Sequence, residues 1–188
     1  MKTGIAMLES VAPYSQSRNH EVPKLDKELW DDFDLRTWRE HLHITEDGFV
    51  FIPPMSFKQC LDSAAQYLGL KIPGQGNKQW GKKFTSGVLV TEPLILPYKR
   101  DDEQNVTRER IYANADGRRG SNKRVWRNYP TIPKWGGRVT FHVLDDTITQ
   151  EVFLQHLQEA GKFIGLGRFR PQNGGFYGRF KVQRVEWE

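Results

Sequence analysis

A single cysteine, Cys60, excludes an internal disulfide framework and any zinc site built on cysteines. No apolar run approaches the roughly 18–20 residues a membrane helix needs, and no continuous apolar stretch precedes Glu9 as a secretory signal would require. These absences lead to the expectation of no membrane partner and a reducing, cytoplasmic setting, in a prokaryotic cell or a virus-infected host cell. No Gly-Lys-Ser/Thr closes a phosphate loop, and Gly165-x-Gly167 follows a helical pattern instead of joining a strand to a helix. Neither a P-loop nor a dinucleotide fingerprint is therefore present. Histidine is also scarce: of five, His41-x-His43 is the one ligand-like spacing, and no third ligand lies near it in the sequence. No metal and no cofactor is expected.

What is present is charge, unevenly placed. The 188 residues carry a net charge of +5, but residues 98–138 alone hold 11 basic against 5 acidic residues, and residues 161–188 hold 6 against 2. Between them, residues 139–160 have no Lys or Arg and 4 acids. Such clustering is the electrostatic footprint of a polyanion binder. In the central segment eight of the eleven cations are Arg, interleaved with aromatic rings. Candidate contacts there are Arg118, Arg119, Lys123, Arg124, Trp126 and Arg127. Guanidinium groups grip phosphate and stack on bases, and exposed rings give single-stranded bases a platform. A duplex binder needs few such rings, so the mixture favours single strands, RNA or DNA. The alternative for Trp126, Tyr129 and Trp135 is to anchor a long loop to the body.

Periodicity predicts the elements. Residues 1–36 read as an irregular arm with a short helix around Lys24–Phe33. Thr37–Ile44 reads as a strand, Asp47–Gly48 as a turn and Phe49–Ile52 as a second strand. Ser56 to Leu70 reads as a helix opened by a Ser56-x-x-Gln59 capping box and closed at Gly69, with Cys60 on its apolar stripe. Residues 71–83 read as loop, and Gly87–Leu96 as one strand or two pieces split by Pro93. Tyr98–Gly137 is a long basic insertion. Arg138–Leu144 alternates as a strand, placing His142 opposite Val139, Phe141 and Val143. Thr147-x-x-Gln150 reads as a second capping box for a helix to about Phe163. The final strand, from Phe180, breaks register near Gln183 and requires a bulge there. The order gives an α+β chain: an arm, 1–36, then one ferredoxin-like (βαββαβ, RRM-like) domain, 37–188, with an insertion at 98–137.

The densest feature is Gly165–Phe180, GLGRFRPQNGGFYGRF, with five glycines among Arg168, Arg170, Asn173 and Arg179. Glycine admits positive φ and close approach of a phosphate, and successive free N–H groups form an anion nest. Gly165, Gly167, Gly174 and Gly175 are the backbone candidates. The stretch Ile164–Phe180 resembles the glycine-rich loop of the RAMP superfamily, the repeat-associated proteins that form CRISPR effector backbones and process guide RNA. Phe51–Leu61, FIPPMSFKQCL, resembles that family's Ile-Pro-Gly-Ser-Ser-Leu-Lys-Gly turn, with Pro54 where the family has glycine. The resemblance spans about 40–60 and 138–188. It implies a ferredoxin-like fold, Ser56 and Lys58 as phosphate contacts, and an insertion that reaches over bound RNA as a thumb or hairpin.

The expected function is thus non-enzymatic single-stranded RNA binding, as a free-standing unit polymerised along RNA or docked into a ribonucleoprotein. Two alternatives stand beside it. One is a metal-independent RNA endonuclease of the same superfamily, with His43 or His20 as general base. The other is a viral anti-defence protein that imitates an effector subunit.

Overall fold

The computed structural model describes residues 1–114 and 123–188. In chain order, β1 is Lys2–Ser10, β2 Tyr14–Ser15, α1 Trp30–Thr37, β3 Phe49–Ile52 and α2 Pro54–Leu68. Then come α3 Gly81–Gly87, β4 Val88–Leu89, β5 Leu94–Lys99, β6 Thr107–Asn114, β7 Arg124–Ile132 and β8 Gly136–Val143. The chain closes with α4 Gln150–Glu159, a π-helical turn Ala160–Ile164 and β9 Phe180–Trp187. The result is an α+β chain whose sheets are antiparallel. Among the described residues no helix is long and apolar enough to cross a membrane.

The main sheet runs β4-β8-β1-β9. Its covered face is set by the period of two along β8, where Val139, Phe141 and Val143 are buried and Arg138, Thr140 and His142 alternate with them. Phe153 of α4 packs between Phe141 (5.2 Å) and Trp187 (5.4 Å), above Gly4, where a Cβ would already sit 3.1 Å from the Trp187 ring. Complete burial of one such phenylalanine contributes about 2–3 kcal/mol. α2 lies beside α4, burying Phe57, Cys60, Leu61, Ala64 and Ala65 at helical spacing. Two smaller sheets, β3-β5 and β2-β7-β6, join this body.

Several expectations change. Residues 2–10 are no part of an irregular arm: they form a strand paired on both sides, with β8 and β9. Thr37–Ile44 is the end of α1 and a 3-10 turn, Trp38–His41, and contributes one isolated bridge, Ile44 to Val50. The loop expected at 71–83 instead leads into α3 at Gly81. Neither capping box forms. Pro53 occupies the N-cap of α2 without a side-chain bond, and Thr149, not Thr147, caps α4 by accepting from the Val152 N–H at 3.3 Å. Other expectations hold. Gly69 closes α2 with left-handed φ, β4 and β5 flank Pro93, and Gln183 is the bulged residue, because Met7 pairs with Arg184 while Leu8 pairs with Val182. Cys60 is buried filler, its thiol pushed up to about 12 by burial.

Candidate nucleic-acid interface

Much of the insertion is a β-ribbon. β6 and β7 pair from Thr107↔Thr131 to Asn114↔Arg124, and Arg118 and Arg119 lie outside the described residues. Directly opposed residues share a face, so one face carries Arg108, Arg110, Tyr112, Arg124 and Trp126. Tyr112 and Trp126 are a cross-strand pair with centroids 5.2 Å apart, yet they remain 50 % and 45 % exposed. Arg110 lies 4.7 Å over the Trp126 ring and Arg124 lies 6.0 Å over Tyr112. Lys123 is exposed next to them. The structure thereby sorts the three rings. Trp135 is the anchor, buried and donating its indole N–H to the Ala12 carbonyl at 2.9 Å. Tyr129 is half-buried, and Trp126 faces solvent.

The base of the ribbon is clamped by α1. Asp34 is buried and accepts from the Asn128 backbone N–H at 2.5 Å and the Asn128 side chain at 2.7 Å, with Arg127 at 3.6 Å. Arg127 thus spends charge on a buried carboxylate, which removes the desolvation cost of leaving that acid alone.

The glycine-rich loop runs from the π-turn to β9 and folds onto its own backbone and onto that of Pro13 and Ser15. Leu166 N–H donates to the Gly178 carbonyl, Tyr177 N–H to Phe169, Gly178 N–H to Pro13, and Arg168 N–H to Ser15 at 3.0 Å. Asn173 and Gly175 both donate to the Arg170 carbonyl, Gly174 to Pro171, and Gly165 to Ala160. A Cβ on Gly178, which has φ +68, would overlap the Leu166 carbonyl oxygen, and one on Gly175 would overlap that of Phe169. Gly165 and Gly167 also take positive φ, and Gly167 packs its Cα against Ser15 and the Tyr14 ring. These glycines therefore permit backbone packing. The expected nest of free N–H groups is not built from these amides, because they are already bonded.

The loop's side chains diverge. The Arg168 guanidinium lies 3.0 Å from the Tyr129 centroid, and burial pulls its pKa below the usual arginine range. Arg170 is half-buried with its Nε sequestered and unbonded, while Arg179 and Asn173 are exposed. The loop meets the ribbon a second time where the Tyr177 hydroxyl donates to Glu109, and burial followed by that contact raises the tyrosine's pKa.

The α2 candidates do not join this surface equally. Lys58 is buried, only 7 % exposed; its amine donates to Asp62 at 2.5 Å and to the carbonyls of Phe84 and Thr85 at 3.3 and 3.0 Å. This corrects the phosphate role that its motif implied: the amine ties α2 to α3. Ser56 is half-buried in the first turn of α2 and hydrogen-bonds Tyr14.

His43 sits 5.5 Å from Phe51 and is not part of any histidine pair. Sequence spacing missed the pair that does form, His20 and His41, with rings 4.9 Å apart and His41 5.3 Å from Tyr129. His41 Nδ1–H donates to the Arg18 carbonyl at 2.8 Å, and burial lowers its pKa below the usual histidine range. Among the described residues no group of three His, Cys, Asp or Glu is placed to hold a metal.

The geometry has counterparts in known structures. A chain of the Type III-B Cmr-beta structure bound to cognate target RNA is similar over 99 % of this chain, with TM-score 0.55 and 15 % identity. This chain spans only about 60 % of that one's length. Cmr6 from Pyrococcus furiosus is similar over 97 % of this chain and 99 % of its own, with TM-score 0.52 and 11 % identity. No family model matches the sequence, and no curated protein matches it in sequence. The shared feature is thus the fold, an α+β architecture.

Proposed function

We propose that the protein is a non-enzymatic binder of single-stranded RNA with the role of a CRISPR effector subunit. In this reading β1, α2, β4, β8, α4 and β9 are the six elements of a ferredoxin-like unit, and the β6–β7 ribbon is its RNA-facing insertion. One observation carries the proposal: a cross-strand Tyr112–Trp126 pair left exposed between arginines on a two-stranded ribbon. Two bulky rings held open to water cost solvation, and stacking on unpaired bases recovers it at ~1–3 kcal/mol per base. The RNA in the Cmr-beta structure supports the same ligand class. Lys123, Arg124 and Arg179 hold phosphates in this reading, Ser56, Asn173 and Arg168 line the path, and Arg118 and Arg119 are further phosphate contacts. Other copies of the chain along the RNA, or other subunits, are its protein partners.

Fluorescence anisotropy with a 12-nucleotide single strand, its duplex and the DNA equivalent tests this. The single-stranded RNA is expected to bind most tightly, with log affinity falling against log salt by about 0.7 per phosphate neutralised. Equal affinity for the duplex removes the proposal.

Metal-independent RNA cleavage is the second reading, and the His20–His41 pair beside Arg168 favours it. A His41 whose Nδ1 carries the proton presents Nε2 as a base. Incubation of RNA in EDTA, with a search for 2′,3′-cyclic phosphate ends abolished by His41→Gln, separates this reading from binding alone.

A further inference from the structure

Beyond the ribbon's exposed ring pair lies a groove that the sequence did not signal. It has a volume of about 270 Å3 and is lined by Trp30, Asp31, Lys123, Val125, Trp126 and Arg127. This is below the ~300–1,000 Å3 of sites for drug-sized ligands and suits one flat ring system. Two tryptophans flank it, from α1 and from β7. The residues that hold them stand outside the groove: Phe33 edge-on to Trp30 at 5.8 Å and Lys24 over its ring at 5.0 Å, Tyr112 and Arg110 against Trp126. Trp30 is still 67 % exposed. An indole that is buttressed yet open is positioned to stack and does not pack into a core. The polar liners divide by sign: Lys123 suits a phosphate, Arg127 is turned to Asp34 at 3.6 Å, and Asp31, with Arg110 at 4.0 Å, offers only acceptors.

We propose that this groove takes a single unstacked nucleobase from the bound strand, held by Trp30 and Trp126, and that the Asp31 carboxylate makes guanine the preferred base. Guanine alone among the four bases presents two adjacent donors, N1–H and N2–H, on its Watson–Crick edge, matching a carboxylate's two acceptors. A carboxylate facing adenine or uracil meets at least one acceptor. This inference rests on the single-strand reading above and adds base preference to it.

Three 12-nucleotide RNAs test it by anisotropy: all uridine, and the same strand with one central guanine or one central adenine. The guanine strand is expected to bind the unaltered protein roughly tenfold more tightly than all-uridine, and the adenine strand less than threefold more tightly. Trp30→Ala removes the guanine gain while leaving all-uridine affinity within about threefold. Asp31→Asn brings guanine and adenine together. Equal binding of all three strands, or a guanine gain that survives Trp30→Ala, overturns the base slot and leaves RNA binding standing. Failure to bind any of the three overturns the single-strand reading and the slot with it.

Discussion

The glycine-rich loop and the β6–β7 ribbon both carry arginine and aromatic residues, and the structure uses them in opposite ways. In the loop the backbone amides of Leu166, Arg168, Gly175, Tyr177 and Gly178 are satisfied internally, and Arg168 is stacked on Tyr129. In the ribbon, Tyr112 and Trp126 remain half exposed with their cations in water. A cation-rich, glycine-rich stretch is therefore not by itself a ligand surface. What distinguishes the two is exposure: Arg110 and Arg124 stay open to water although they reach Asp31 at 4.0 Å and Asn114 at 3.4 Å, whereas Arg168 is pressed onto a ring. In the proposed function the loop is chiefly the frame that fixes the position of the ribbon, adding Arg179 and Asn173 at its surface, and the ribbon is the main contact.

The largest expected effect breaks the frame. Gly178→Ala adds a Cβ onto the Leu166 carbonyl at a residue with φ +68, and overpacking plus left-handed strain should cost about 3 kcal/mol. By calorimetry the melting temperature is then expected to fall by about 6–12 °C; an unchanged value means the loop is not packed as described. Removing both rings, Tyr112→Ala with Trp126→Ala, tests the contact. RNA affinity should drop roughly 30-fold, about 2 kcal/mol, with melting nearly unchanged, since the pair is half exposed.

Lys58→Ala sharpens the contrast from the body of the fold. It strands Asp62 and two carbonyls, so stability is expected to fall by about 2 kcal/mol with the RNA affinity per folded molecule unaltered. Lost affinity at full stability would return Lys58 to the interface. Lys123→Ala should lower the salt slope of RNA binding by about 0.7, one phosphate contact, and leave chemical denaturation midpoints in place.

The smallest effect is a pH dependence of the body of the fold. His156 is fully buried, its Nδ1–H donates to the Val152 carbonyl at 2.6 Å, and burial lowers its pKa. The unfolded chain, with an ordinary histidine pKa of about 6.5, takes up the proton first. Stability is then complete above that value and declines as pH falls through it. Urea titrations should show this decline shrinking in His156→Met; an identical slope assigns it elsewhere.

The parts of the fold legible in the sequence are those held by short-range rules. The stripe Phe57, Cys60, Leu61 and Ala64 marks α2, the alternation Val139, Phe141, Val143 marks β8, and the mismatch between Phe180–Val182 and Val185–Trp187 marks the bulge at Gln183. The glycine-rich segment was likewise visible, though not the use of its amides. β1 was hidden because its identity as a central strand depends on partners more than a hundred residues away. α1 was misplaced because its acidic sequence has little apolar periodicity and is held by the tertiary bond from Asn128 to Asp34. The misreading of Lys58 has the same origin: position at a helix start suggests phosphate, and only packing against α3 shows where the amine goes.

By itself, then, the sequence determined the α+β class, the two main helices, the β8 and β9 strands, and which segments carry surplus positive charge, since each follows from local periodicity or from counting. Only the tertiary structure decided which cations and rings are spent internally and which face water. That choice is made by contacts between distant segments: Asp34 with Arg127, Tyr129 with Arg168, Lys58 with the end of α3, and Trp30 across a groove from Trp126. Burial and pairing, which no local pattern encodes, are what separate a structural charge from a binding one.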